Sequence, residues 1–373
     1  MPLKQNKALF FRCIFALRSL RRTQNSRISK TQNFYSMRKI FVLTILFSLI
    51  VVSCQNDKTY KNKLQVHHEH LDPQKIIIKD YAKALFSLDT ANFAEEIRDI
   101  QNDFPVFLEG DLNDIGAVNY LKGFATDTFC IRINNIAEKK FSNTDKLAKN
   151  IKSVYQIFNY YYPNIKLPEE TYFYVSGIDY NTPSIMTLPD GILISTDMYL
   201  ENESSIYDYV GMPRYRSLRC QPSYITRDLA ESLYTTFIYK KQYQKDVLTE
   251  MIDAGKRLYF IEALNPSLPD SIIMGYSSKQ INWVEQYEGD VWASIIGNDM
   301  LYAKNAELFR NLFGDGPFTQ AFSNESPARL GEYIGLQIIR SYMTNNDVSL
   351  QEMLNNDDIQ QIFQSSQYKP RKS

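Results

Sequence analysis

Residues 171–243 constrain the fold most, because they alternate short apolar runs with turn signals and then settle into helical spacing. The run 171–178 (TYFYVSGI) is aromatic and β-branched, the composition of a strand. Asn181, Pro183 and Ser184 mark a turn, and Pro189, Asp190 and Gly191 mark another ahead of the apolar run 191–200 (GILISTDMYL). After an irregular link, 222–241 carries Ile225, Leu229, Leu233 and Phe237 at four-residue intervals, with Ala230 and Tyr234 beside them. That spacing predicts a helix. Two strands with apolar faces need a shared cover, and this helix is the nearest one. The expectation is a mainly helical α+β domain in which a small sheet packs on the 222–241 helix.

Helical spacing recurs on both sides of that stretch. The β-branched start of 76–89 predicts a strand. Asp89 or Thr90 is placed to cap a helix bearing Phe93, Ile97, Ile100 and Phe104, with Glu95 and Glu96 favouring its dipole. Residues 119–139 carry at least one more helix, and Leu147, Ile151, Val154, Tyr155 and Phe158 define a further one that Pro163 ends. Beyond the central helix, 244–266 reads as amphipathic and 267–302 as two shorter helices with Trp283 and Trp292 as core anchors. In 326–346, Leu330, Ile334 and Ile338 predict a buried helix whose Gly331 and Gly335 leave a flat strip for close packing. A short helical pair at 349–363 closes the chain.

A chain of 373 residues, 44% hydrophobic and 13% aromatic, can bury a sizeable core. Its formal charge of zero hides an asymmetry. Residues 1–53 hold ten Lys and Arg and no acid, which leaves 32 basic against 42 acidic residues after them. A body near −10 repels a phosphate backbone and has no basic stripe, which argues against nucleic acid as a partner.

The front of the chain reads as an export signal. Translation is expected to start at Met37, with 1–36 an upstream extension. Arg38 and Lys39 precede the apolar run 40–52 (IFVLTILFSLIVV), whose length suits a signal peptide and falls short of a bilayer span. Ser53 and Cys54 close that run and resemble a bacterial lipobox. Cys54 is the expected lipid-attachment residue, its thiol taking a diacylglyceryl group and its freed amine a further acyl chain. The expected division is therefore 1–53 extension and signal, 54–75 lipidated tether, and 76–373 one globular domain held to a membrane by its N-terminal lipid. Cys13 falls ahead of the cleavage point, and Cys130 and Cys220 are expected as buried thiols.

His67, His68 and His70 are the only histidines, and all lie in the tether. A solvated linker offers a metal no fixed geometry. A body without histidine lacks the means for Ser-His-Asp or Cys-His catalysis and for the usual zinc sites. Asp228 and Glu231, at i and i+3 with Arg227 before them, form the candidate acid/base pair or carboxylate metal site. The plainer reading is an Arg227–Glu231 ion pair on the helix surface. Glu285, Glu288 and Asp290 read as a solvated face. Ser176 and Ser195 lack the glycine setting of a nucleophile elbow, and the chain has no phosphate loop or dinucleotide fingerprint. No catalytic, cofactor-binding or metal-ligating residue is assigned, and no cofactor is expected.

A strand pair that delivers a loop onto a helix is similar to the frame of zincin metallopeptidases, whose helix bears His-Glu-x-x-His. The comparable place here reads Arg227-Asp228-Leu229-Ala230-Glu231, and a guanidinium cannot ligate a cation. The lipobox at Cys54, the segments 80–89 and 103–107 (DYAKALFSLD, DFPVF), 173–185 and 190–200 (FYVSGIDYNTPSI, DGILISTDMYL), the stretch 326–354, and the closing Gln367-Tyr368-Lys369-Pro370 together resemble the gliding-motility lipoprotein B (GldB) family of Bacteroidetes. The resemblance covers roughly 37–373. It implies a zincin-like envelope lipoprotein of the gliding and type IX secretion machinery, and it supplies no catalytic residues. The expected role is non-catalytic, with envelope proteins of that machinery as partners and the body facing the periplasm or the cell surface. Two alternatives stand beside it: a hydrolase with a carboxylate metal site at Asp228 and Glu231, and a periplasmic chaperone that takes extended peptides along a strand edge.

Overall fold

In the computed structural model the described residues are 64, 66, 71, 75–201, 204–240, 245–319 and 322–371. They belong to one compact unit, Thr59–Ser373. Cys54 and the three histidines lie outside the described residues.

Four strands, β1 (Ile77–Asp80), β2 (Glu170–Tyr174), β3 (Ile185–Leu188) and β4 (Gly191–Ser195), form a sheet in the order β1-β2-β4-β3. β1, β2 and β4 run parallel, and β3 turns back antiparallel on β4 at one edge. Alternation along each strand sends side chains to two faces. Phe173, Ile185, Ile192 and Ile194 enter the larger core, while Tyr172 and Leu193 enter a smaller one behind the sheet. β4 is buried along its whole length because helices cover both faces. The two strands expected at 171–178 and 191–200 are neighbours as anticipated, but the antiparallel partner of β4 is β3, which the sequence reads as part of a turn region. The four residues of β3, hemmed in by Pro183 and Pro189, are too few for alternation to register.

Between β1 and β2 lie α1 (Tyr81–Phe86), α2 (Phe93–Asp99), α3 (Ile115–Thr126), α4 (Thr128–Lys140) and α5 (Asp145–Tyr161), with a short helix at Pro105–Leu108. Tyr81, Leu85, Phe93, Ile97 and Val118 fill the smaller core. Ile151, Val154, Tyr155 and Phe158 of α5 fill the larger one. Asp80 ends β1 and caps α1 by accepting from the Lys83 amide at 2.9 Å. Neither Asp89 nor Thr90 caps α2. Asn92 is its N-cap, without a side-chain bond, and Asp89 instead closes the preceding turn by accepting from the Ala91 amide.

After β4 come α6 (Ile225–Leu233), α7 (Val247–Leu264), α8 (Ser278–Gly297), α9 (Ala306–Phe313), α10 (Leu330–Asn345), α11 (Leu350–Asn355) and α12 (Ile359–Ser366). Shorter helices at Thr196–Tyr199, Ser204–Tyr209, Arg214–Ser217 and Asp270–Met274 lie among them. α6 packs on β3, where the hydroxyls of Thr187 and Ser232 meet at 2.8 Å. It is the cover that the strands need. Its α-helical part is shorter than 222–241, because Tyr234–Ile238 winds as a π-turn. The wider turn rotates the chain off the i+4 stripe. Ile225, Leu229 and Leu233 are fully buried, whereas Phe237 is 36% exposed with its ring 5.7 Å from that of Phe158.

α7 is buried almost all round rather than amphipathic, since α6, α10, α11 and α12 surround it. It meets α10 where Gly255 faces Gly335, as the glycine strip predicts. Residues 267–302 do hold two helices, Asp270–Met274 and α8, but Trp283 and Trp292 both lie on α8. A Ser277–Gln280 capping box starts it, and it runs on through Gly289 with Trp283 and Trp292 partly buried against the core. Glu288 is buried rather than solvated, accepting from the hydroxyls of Tyr333 at 3.1 Å and Tyr368 at 2.9 Å. Cys130 and Cys220 are buried free thiols. Among the described residues no helix is long and apolar enough to cross a membrane.

Candidate functional site: an ion-pair chain beside an edge-strand groove

Helical spacing sets Arg227 and Glu231 one turn apart on α6, with Asp228 next to the arginine. The Arg227 guanidinium bonds both carboxylates, reaching Asp228 Oδ1 at 2.9 Å and Glu231 more closely still. The pair is therefore present, but its arginine side chain is only 10% exposed, so it is not a surface pair. Glu231 also accepts from Arg257 of α7, and Arg257 pairs with Glu332 of α10 at 3.0 Å. Glu332 meets Arg329 at 3.5 Å, Arg329 meets Asp315 at 3.4 Å, and Asp315 meets Arg219 at 2.5 Å. Acid and base alternate along the whole series, so every buried charge has an opposite neighbour. Breaking one link would leave a desolvated charge unpaired, which is far costlier than the pair is stabilising.

The two α6 carboxylates are driven apart in acidity. Burial alone would raise the Glu231 pKa, but the guanidiniums of Arg227 and Arg257 outweigh it and hold the group down to about 2. At Asp228 burial dominates and the pKa is raised, despite Arg227 and the hydroxyl that Tyr199 donates to Oδ2 at 2.8 Å. Asp228 is thus the more easily protonated carboxylate of the pair, whereas both oxygens of Glu231 accept from guanidiniums. Among the described residues no three His, Cys, Asp or Glu side chains are grouped to hold a metal ion.

β3 is the last strand of the sheet, so no described strand pairs with its outer edge. A groove of about 650 Å³ runs between this edge and α6, with Met186 and Leu188 on one side and Asp228, Glu231, Ser232 and Thr235 on the other. At one end it continues into a recess of about 140 Å³. Tyr180, Ser184, Met198, Arg216 and Asp228 line both spaces. Cys220 also faces the recess, but burial pushes its thiol up to about 12, so it stays protonated and is no nucleophile near neutral pH.

Ser176 and Ser195 do have a common partner, and it is structural. Asp197, fully buried, accepts from the Ser195 hydroxyl at 2.6 Å, the Ser176 amide and hydroxyl, and the Ile178 amide at 2.6 Å. These bonds pin the turn after β2, where Gly177 and Ile178 take positive φ of 76° and 59°. Sequence reasoning missed Asp197, although a lone acid inside the apolar run 191–200 is itself a signal. It also missed Arg257, Arg329 and Glu332, which reach Glu231 only through the packing of α7 and α10.

The chain matches no curated protein and no solved structure. A family model described as gliding motility protein GldB matches residues 61–370, which take in both cores, the ion-pair chain and the groove. The chain belongs to the GldB family of gliding motility proteins.

Proposed function

We propose that this chain is an envelope lipoprotein, anchored through lipid on Cys54, whose zincin-like body serves the gliding and secretion machinery as a non-catalytic binding component. The observation that carries this reading is the state of Arg227. Where a zincin helix presents its first imidazole, a guanidinium stands between Asp228 and Glu231, and the latter is committed to two arginines of the protein itself. A zinc-bound water needs three side chains free to ligate the metal, and here a guanidinium cannot ligate and Glu231 is already held by two arginines. The lipoprotein designation in the family's name supports the anchor.

The open edge of β3 beside the groove favours one refinement: the body binds extended peptide by strand addition, main-chain bonds giving affinity and groove side chains giving selectivity. In the source bacterium, Cys54→Ala should leave an unlipidated precursor and abolish colony spreading or, in a non-gliding host, protein secretion. Asp228→Asn, which removes the more easily protonated carboxylate of the pair, should leave both intact. Normal spreading with an unlipidated Cys54→Ala protein, or loss of function in a folded Asp228→Asn protein, overturns the reading.

A further inference from the structure

The recess at the end of the groove is basic. Arg216, Arg219 and Arg227 line it against one acid, Asp228. Arg227 is neutralised by Asp228 and Glu231, and Arg219 pairs with Asp315, outside the recess lining. Arg216 is different. Its guanidinium donates to the Tyr180 carbonyl at 2.6 Å and lies 5.3 Å from the centre of the Tyr180 ring, and among the described residues no carboxylate pairs with it. A cation fixed by a carbonyl and a ring face keeps its charge and its remaining donors available.

The charge and size of the recess define its ligand. One unmatched positive charge calls for one negative charge, and a doubly charged anion would also face the Asp228 carboxylate on the wall. The recess volume of about 140 Å³ has room for a small planar anion. A guanidinium fork matches a carboxylate in plane and in spacing. Arg216 also lines the groove, which makes the recess its continuation.

We propose that the recess binds a carboxylate belonging to an extended chain that lies along β3, with Arg216 as its principal partner. The proposal rests on the strand-addition reading above. The carboxylate can come from a free C-terminus or from an acidic side chain.

The test uses the full chain in detergent and three fluorescein-labelled octapeptides of alternating Thr and Val: one with a free C-terminus, one amidated, and one amidated but ending in Asp. Fluorescence anisotropy should show at least one acidic peptide binding about tenfold tighter than the neutral amide, the size of one charge-assisted pair. Which acidic peptide gains identifies the source of the carboxylate. Arg216→Gln should reduce that peptide to the amide's affinity, while Arg216→Lys keeps most of the preference. An unchanged melting temperature and circular dichroism spectrum of Arg216→Gln guard against misfolding of that variant. Equal affinities for all three peptides overturn the carboxylate recess and leave strand addition standing. If no peptide binds but succinate raises the melting temperature and Arg216→Gln abolishes the rise, the recess takes a free carboxylate and strand addition fails. Absence of both effects, or stronger stabilisation by phosphate than by succinate, overturns the assignment.

Discussion

Gly255 on α7 and Gly335 on α10 meet backbone to backbone: a methyl group on Gly255 would overlap the Gly335 carbonyl, and one on Gly335 would overlap the carbonyl of Met251. No side-chain rotation relieves either clash, because the obstructing atoms belong to the main chain of two buried helices. Overpacking of a core costs about 1–3 kcal/mol when side chains can yield. Gly335→Ala should therefore cost at least the upper end of that range, read as a lowered midpoint in chemical denaturation. An unchanged midpoint would mean that the two helices do not meet at this crossing.

The π-turn at the end of α6 makes two apolar residues of one predicted stripe unequal. Leu229 is fully buried, so Leu229→Asp places an unpaired charge in the larger core and should cost several kcal/mol, on the order of 3–5. Phe237→Asp, at the half-exposed position, loses mainly its contact with Phe158 and should cost about 1–2 kcal/mol. Similar costs at both positions would mean that the helix continues unbroken through 238.

That contrast shows where the sequence is legible. Runs with a single period, such as Ile151–Tyr155–Phe158 in α5 or Leu330–Ile334–Ile338 in α10, carry enough residues to declare both element and buried face. The parallel pairing of β1 with β2 joins Ile77 to Glu170 across six intervening helices, and nothing local records it. The same holds for the site. Arg227, Asp228 and Glu231 are visible together because one helical turn brings them together, whereas Arg257 and Glu332 acquire their meaning only from helix packing. Glu288 misleads for a related reason: among Glu285 and Asp290 it looks solvated, but α10 and the C-terminal tail bury it.

Glu231 should make the body acid-sensitive. Its pKa is held from the ordinary 4.5 down to about 2, so its charged form is favoured by folding. The sign follows: the stabilisation is fully present above about 4.5 and is lost as pH falls through about 2. At about 1.4 kcal/mol per pKa unit, discounted for partial exposure, the loss is on the order of 2 kcal/mol. Glu231→Gln should be less stable at neutral pH and show a shallower loss between those values, measured by urea denaturation across pH. An acid limb as steep as that of the unmodified protein would assign the effect to other carboxylates.

The C-terminal tail is latched through Glu288. Tyr368 donates to one oxygen at 2.9 Å, the Arg371 amide reaches the same oxygen at 3.4 Å, and the Tyr368 ring stands edge-on to Trp292 at 5.2 Å. Tyr368→Phe keeps the ring and removes the donor, so it should cost about 1–2 kcal/mol. Its effect should largely vanish in a Glu288→Leu background, where no buried acceptor is left waiting. Additive losses in the double variant would show that the two groups act separately.

The body should bind no zinc with catalytic consequence. A zinc peptidase needs neutral nitrogen donors and a coordination position where water loses its proton near pH 7. Arg227 repels a cation where the first donor would stand, and Glu231 accepts from Arg227 and Arg257 together. Burial keeps the Cys130 and Cys220 thiols protonated, each pushed up to about 12, so they are poor metal ligands as well. His67, His68 and His70 in the tether could still pick up metal loosely, and they must be changed to Asn before the measurement. Metal analysis of that triple variant should then find zinc far below one equivalent, and chelator should not affect its behaviour toward an unfolded protein substrate. Stoichiometric zinc accompanied by chelator-sensitive cleavage would reinstate the hydrolase and make the raised pKa of Asp228 the place to look for its general base.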